Sequence, residues 1–198
     1  INPSRYFSEL KKILSEADPG HYLKRLFDLG VLKPLYPQLS IDLNDWNRFC
    51  RNIRALRCQA LYRNMDFGLV YFIGLIAKSP MAVREGILER FHWTKTERES
   101  IRQSLGVRDI LGQLSARGLT PSQVYKILRP MTGETVLYLR ARALRPEICR
   151  RIDRFLAKDK GVKLFITGED LKRVGIVAGI NMGKALQEIL YLKIDQRV

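Results

Sequence analysis

The sequence predicts an all-α fold: an irregular multi-helix bundle or superhelix that ends in a small C-terminal helical hairpin. Three observations carry this. Apolar residues recur at spacings of three and four through nearly the whole chain, the period of one helix face. Helix punctuation is dense. Asp18-Pro19, Ser79-Pro80, Thr120-Pro121 and Pro146 place proline at helix starts, and Thr94 with Glu97 and Thr167 with Asp170 read as capping boxes. Finally, no alternating stretch is long enough to build a sheet. Val162 to Ile166 alternates briefly and stops. No clean period of about 20 to 50 residues runs through the chain, which argues against a regular solenoid.

In chain order, Tyr6, Leu10, Ile13 and Leu14 mark the first apolar stripe. Asp18 is expected to cap the second helix, and Gly30 to end it, before Pro34 and Pro37 break the chain. A long helix is expected over Asp42 to Arg63, then an apolar one over Phe67 to Ala77. Ser79-Pro80, Thr94, Thr120-Pro121 and Pro146 open further helices, giving about ten in all. Composition shifts at Lys158-Asp159-Lys160-Gly161, where a dense basic stretch gives way to a glycine-punctuated module. A boundary is expected there.

Charge narrows the function. Among 198 residues, 35 Lys and Arg face 20 acids, for a formal charge of +15. That excess favours polyanions, nucleic acid before an anionic membrane. No apolar run approaches the roughly 20 residues of a membrane span. There is no signal peptide, and the first residue, Ile1, is not Met, which points to a fragment or a processed product. Cys50, Cys58 and Cys149 form no CxxC pair or disulfide framework, so a reducing cytoplasm fits.

Two segments hold most of the excess. Residues 46–63 contain Arg48, Arg51, Arg54, Arg57 and Arg63 with no acid. Residues 138–163 contain nine cations, Arg140, Arg142, Arg145, Lys158, Lys160 and Lys163 among them, against three acids; together the two segments supply +11 of the +15. In the first, Phe49, Ile53, Leu56 and Ala60 share a helix face, so Arg48, Arg51, Arg54 and Arg57 spread over the other half. They form either a solvated face or a phosphate-facing one. Arginine suits the second role because its fork can hold two phosphate oxygens at once. Arg150, Arg151, Arg154 and Lys158 repeat the helical spacing in the second segment, making a contiguous anionic footprint the expectation there.

The C-terminal module reads as a capped helix, a glycine hairpin and a second helix. Thr167 and Asp170 cap the first helix and Gly168 follows the cap. Gly175 sits where the helix stops, and Gly179 and Gly183 flank the start of the next, where bare amides could face an anion. Lys172, Arg173 and Lys184 are the cations on this hairpin. No catalytic motif accompanies these features. His21 and His92 lack partners at metal-ligand spacing, and GxGxxG, P-loop, GxSxG and HExxH patterns are absent. Asp42 with Asp45, or Glu97 with Glu99, is too little to define a catalytic pair.

Two stretches resemble a known family. Tyr6-Phe7-Ser8-Glu9-Leu10, Leu26-Phe27-Asp28-Leu29-Gly30-Val31-Leu32 and Leu35-Tyr36-Pro37-Gln38-Leu39 are similar to the RNA-binding region after the neck of bacterial tRNA nucleotidyltransferases and poly(A) polymerases, where a run like LxxLGLLxxLFPEL occurs. Thr167-Gly168-Glu169-Asp170-Leu171, Gly175, Gly179, Gly183 and Leu186 resemble that family's tail pattern, TGxDLxxxGxxPGxxxGxxLxxL, with Ala178 in place of its proline. The resemblance implies a late neck over 1–40, a helical body over 41–160 and a tail over 161–198. The family's catalytic head adds CCA, or part of it, to tRNA 3′ ends with ATP or CTP and Mg2+. No cofactor is therefore expected in this fragment, only in the missing head of the same parent chain. The implied partner is tRNA, with the body along the acceptor stem and the tail against the T-arm and elbow. Recognition by shape, phosphates and 2′-hydroxyls suits A-form RNA. Two alternatives stand beside this one: a poly(A) polymerase RNA-binding region serving varied 3′ ends, and a DNA-binding scaffold of helix-hairpin-helix type built on Gly175 to Leu190.

Overall fold

The computed structural model describes residues 2–37, 39, 41–175 and 179–196. Twelve α-helices and no strand are found among them. The helices are α1 (Pro3–Ser15), α2 (Pro19–Asp28), α3 (Leu43–Arg57), α4 (Phe67–Ile76), α5 (Met81–Arg90) and α6 (Lys95–Gln103). Then come α7 (Val107–Leu114), α8 (Pro121–Leu128), α9 (Gly133–Arg142), α10 (Pro146–Arg154), α11 (Gly168–Arg173) and α12 (Ile180–Gln196). They form two compact units. The first is residues 1–111 with 131–144, and the second is 112–130 with 145–198.

In the first unit α4 is the pivot. Nine of its ten residues are buried, and α1, α3 and α9 pack on it. A helix apolar all round belongs at the centre of a core, and Asp66 opens it by accepting from the Leu69 amide at 3.0 Å. Aromatic rings fill the gaps. Phe49 of α3 meets Trp46 at 5.7 Å, Tyr71 of α4 at 6.1 Å and Tyr138 of α9 at 5.7 Å between ring centroids. Phe7 of α1 stacks on Phe91 at 4.6 Å and meets the edge of Trp93 at 4.5 Å. Each fully buried ring of this kind contributes about 1.5–3 kcal/mol over its exposed state. The first stripe is thus Phe7, Leu10 and Leu14, with Tyr6 and Ile13 only half-buried.

Caps follow the sequence with instructive departures. Thr94–Glu97, Thr120–Gln123 and Thr167–Asp170 form complete capping boxes. Asp42 caps α3, accepting from the amides of Asn44 at 3.0 Å and Asp45 at 3.1 Å. Asp18 does not cap α2, because its carboxylate is held by Arg54 of α3 instead. Gly30, at φ 69°, turns the chain after α2. The long helix expected to Arg63 stops at Arg57. Arg57 donates to the carbonyls of Glu16 at 2.7 Å and Ala17 at 3.1 Å and lies over the Phe67 ring, so its end of α3 is fastened to the α1–α2 link. The chain then leaves the helix, with Gln59 extended, and a short 3-10 turn buries Tyr62 completely.

The second unit packs α8, α10, α12 and a single π-helical turn, Phe155–Asp159. Tyr125 meets Phe155 at 5.9 Å and Tyr191 at 6.4 Å. Asp195 near the end of α12 accepts from both the amide and the hydroxyl of Ser122, at 2.7 and 2.8 Å, which ties that helix to the start of α8.

Candidate nucleic-acid interface

On α3, residues 48, 51 and 54 recur at three-residue spacing opposite the buried Phe49, Ile53 and Leu56. α2 lies alongside because Gly20 lets it approach closely; a Cβ there would stand 2.8 Å from the Cys50 sulfur. Between the two helices runs an open groove of about 880 Å³. Lys24 and His21 line it from α2, and Arg48, Arg51 and Arg54 from α3. Asn44 and Asn47 add amides that can both donate and accept. Asp18 is the one carboxylate in the lining.

The cations in this groove are not equivalent. Arg54 is held by Asp18, and Arg48 pairs with Asp45 at 2.6 Å. Among the described residues no acid lies within ion-pair distance of Lys24 or Arg51. Cys50 brings no thiolate chemistry, since burial, helped by the nearby Asp18 charge, pushes its thiol up to about 12. What the groove can do is hold phosphates through arginine forks and lysine, with amides beside them for hydroxyls.

The second basic segment separates. Arg140 and Arg142 lie on α9 in the first unit, and Arg145 onward belong to the second. The expected footprint is moreover depleted by internal pairing. Arg142 donates to Asp45 at 2.9 Å and lies over the Phe49 ring, a contact of the core. Burial works to raise the Asp45 pKa, but the hydrogen bonds and charges of Arg142 and Arg48, with Lys78 beyond them, outweigh it and hold this carboxyl below its usual range. Arg151, only 13% exposed, donates to the carbonyls of Leu114 at 2.5 Å and Ala116 at 2.9 Å and pairs with Glu147. Arg154 faces the buried Asp159 at 3.6 Å. Arg145 and Lys163 are exposed, and the carbonyl of Lys163 accepts from Lys193.

In the tail, Thr167 and Gly168 open α11 as read from the sequence. The Thr167 hydroxyl donates to Asp170 at 2.7 Å, so it serves the cap. A Cβ at Gly168 would stand 3.1 Å from the Met182 sulfur of α12, so the two helices approach closely there. Gly175, at φ 88°, ends α11, and Gly179, at φ 142°, precedes α12. Gly183 is not a bare amide flanking the helix start. It lies inside the first turn of α12 and donates to the Gly179 carbonyl at 3.3 Å. Lys172 and Arg173 pair within their own helix, with Glu169 at 2.6 Å and Asp170 at 3.5 Å, and Lys184 is exposed on α12. Ala178 lies outside the described residues.

Sequence reasoning missed Lys24, His21, Asn44 and Asn47. The signal was present in α2, where His21 and Lys24 sit one turn apart on either side of the buried Leu23, but nothing local says which helix α2 adjoins. Among the described residues no three metal-ligating side chains come together, and no helix is long and apolar enough to cross a membrane.

Residues 1–43, which supply α1, α2 and the cap of α3, match a family described as "Probable RNA and SrmB- binding site of polymerase A". Over 96% of its length the chain is 25% identical to an A-adding tRNA nucleotidyltransferase of Geobacter sulfurreducens. It superposes over 96% of its length on a Thermotoga maritima CCA-adding enzyme complexed with tRNA, with TM-score 0.76 and 24% identity. A CCA-adding enzyme in an apo form matches over the whole chain with TM-score 0.76 and 25% identity. Over nearly its whole length the chain is thus similar to part of a tRNA nucleotidyltransferase. It spans 23% of the Geobacter relative and 47% of each of the two enzymes of known structure. The α2 side of the groove falls inside the residues matched by the RNA-binding family, and the α3 side begins as that match ends.

Proposed function

We propose that this chain is the tRNA-binding portion of a tRNA nucleotidyltransferase, holding the acceptor–T-arm half of tRNA while a catalytic head of the same parent chain adds CCA or part of it. The observation that carries the proposal is the α2–α3 groove, with five basic side chains and two amides in and beside the segment matched by an RNA-binding family. Recognition is by backbone and shape, as A-form RNA requires. Mg2+ and ATP or CTP belong, on this proposal, to the head.

The test is binding of the chain to intact tRNA, to an acceptor–T-arm minihelix and to an unstructured RNA of equal length, across a salt series. tRNA and minihelix are expected to bind alike and more tightly than the single strand. Log Kd should rise with log salt, at about one unit of slope per phosphate neutralised. Lys24→Ala with Arg51→Ala should lower that slope by about two. Equal affinity for all three RNAs overturns the proposal and favours the polymerase A reading, which the family description itself raises. Preference for duplex DNA over every RNA favours the hairpin scaffold.

A further inference from the structure

A second concavity in the first unit has a different character. Five elements converge on a cavity of about 450 Å³: α3, the turn after α4, α5, the link into α7 with α7 itself, and α9. Sites for small molecules fall in the range of roughly 300–1,000 Å³. One wall is cationic, with Arg48, Lys78, Arg84, Arg108 and Arg142, and no carboxylate lines the cavity. The rest of the lining includes the apolar Leu105, Val107, Leu111 and Leu144.

The charge balance does not cancel this wall. Asp45 stands behind it, bridging Arg48 and Arg142, and Asp42 reaches Lys78 at 3.5 Å. Two carboxylates thus answer five cations, and Arg108 has no acid within ion-pair distance among the described residues. Arg84 is a fixed charge. It is 9% exposed and donates to the Ser79 carbonyl at 3.0 Å and to that of Ala77, which holds its guanidinium in one place at the cavity wall. The fifth element supplies Tyr138, 3% exposed, which also lines the cavity. In the apolar part of the lining, Leu144 is 66% and Leu105 38% exposed. A bare inorganic anion would use the cationic wall alone, whereas a ligand with a phosphate at one end and a flat apolar body at the other uses both parts.

We propose that this cavity binds a 5′-phosphorylated nucleotide, its phosphate against Arg84, Arg108 and the Tyr138 hydroxyl and its base against Leu105 and Leu144. The nucleotide is either free or the 5′-terminal residue of an RNA strand. The site lies outside the α2–α3 groove and shares only Arg48 with it, so it stands or falls independently of the tRNA proposal.

The test is calorimetric titration of the full chain with AMP, adenosine and inorganic phosphate at matched ionic strength. AMP is expected to bind more tightly than either fragment. Tyr138→Phe, which removes only the hydroxyl, and Arg108→Ala, on an exposed helix face, should each weaken AMP binding about tenfold, in line with a hydrogen bond to a charged group. Leu144→Ala should weaken AMP and leave inorganic phosphate unchanged. Displacement of AMP by a 5′-phosphorylated RNA hexamer, but not by its 5′-hydroxyl form, assigns the RNA terminus as the source; AMP binding without such displacement assigns the free nucleotide. Inorganic phosphate binding as tightly as AMP, or AMP affinity unmoved in Tyr138→Phe and Arg108→Ala with both variants melting like wild type, overturns the proposal.

Discussion

The same substitution, glycine to alanine inside a helix, should act with opposite sign at two positions of the first unit. Alanine is favoured over glycine by about 1 kcal/mol in a helix interior, so Gly86→Ala in α5, where an added Cβ meets nothing within 4 Å, should stabilise by about that amount. At Gly74 in α4 the added Cβ would stand 2.4 Å from Cε1 and 2.8 Å from Cζ of Phe49. Phe49 cannot step aside. It is 2% exposed and is enclosed by the rings of Trp46, Tyr71 and Tyr138, with the Arg142 guanidinium 5.8 Å from its centroid. Overpacking of a tight core costs about 1–3 kcal/mol. Set against the helix gain, Gly74→Ala should come out destabilising by up to about 2 kcal/mol, and the two variants should differ by roughly 1–3 kcal/mol. Thermal or urea unfolding of both, beside wild type, measures this. Gly74→Ala stabilising as much as Gly86→Ala would show that Phe49 moves freely, and would refute the account of the α3–α4–α9 core.

Glu97 gives the pH dependence. Burial works to raise its pKa, but the Lys11 ammonium at 2.6 Å and the Thr94 cap overcome it and hold the carboxyl below its ordinary 4.5. Its contribution is therefore complete above about pH 4.5 and lost as pH falls through the lowered folded value. Glu97→Gln keeps a capping side chain, as Gln123 shows at α8; the stability gap between wild type and this variant at pH 7 should close on acidification, and a gap constant down to pH 3 would sink the assignment. Arg151→Ala should cost about 1–3 kcal/mol, because the Leu114 carbonyl loses a charged donor. It should leave the salt slope of RNA binding unchanged, and a slope reduced by one would show that Arg151 faces phosphate.

Much of this fold is legible in residues that act locally. Thr94, Thr120 and Thr167 cap helices because the residue three positions on can return the hydrogen bond, and Phe67 to Ile76 is central because no face of it is polar. What depends on remote partners is not legible. Asp18 reads as a cap by its place before Pro19, yet Arg54 claims it from 36 positions away. Arg57 ends α3 through carbonyls some 40 positions earlier in the chain. The division into units is hidden for the same reason. The chain passes into the second unit at Gly112, inside α7, and no break in periodicity marks the place.

The same distinction decides what a count of arginines is worth. Arg48, Arg51 and Arg54 repeat every three residues and look alike in sequence, but Asp45 and Asp18 turn the first and third into ion pairs while Arg51 stays open. A phosphate approaching Arg54 must compete with a carboxylate already in place; at Arg51 or Lys24 it displaces only water and counterions. The +11 of the two basic segments therefore overstates their phosphate contacts. Arg142, Arg151 and Arg154 are spent within the protein, and Lys172 and Arg173 within α11. Internal pairing of this kind also sets geometry. By fixing Arg48 and Arg54 at the two ends of the α3 row, Asp45 and Asp18 hold their guanidinium groups at set positions on either side of Arg51. A row so held favours a backbone with regular phosphate spacing over one that must first be ordered, since part of the side-chain entropy cost of binding has been met in folding.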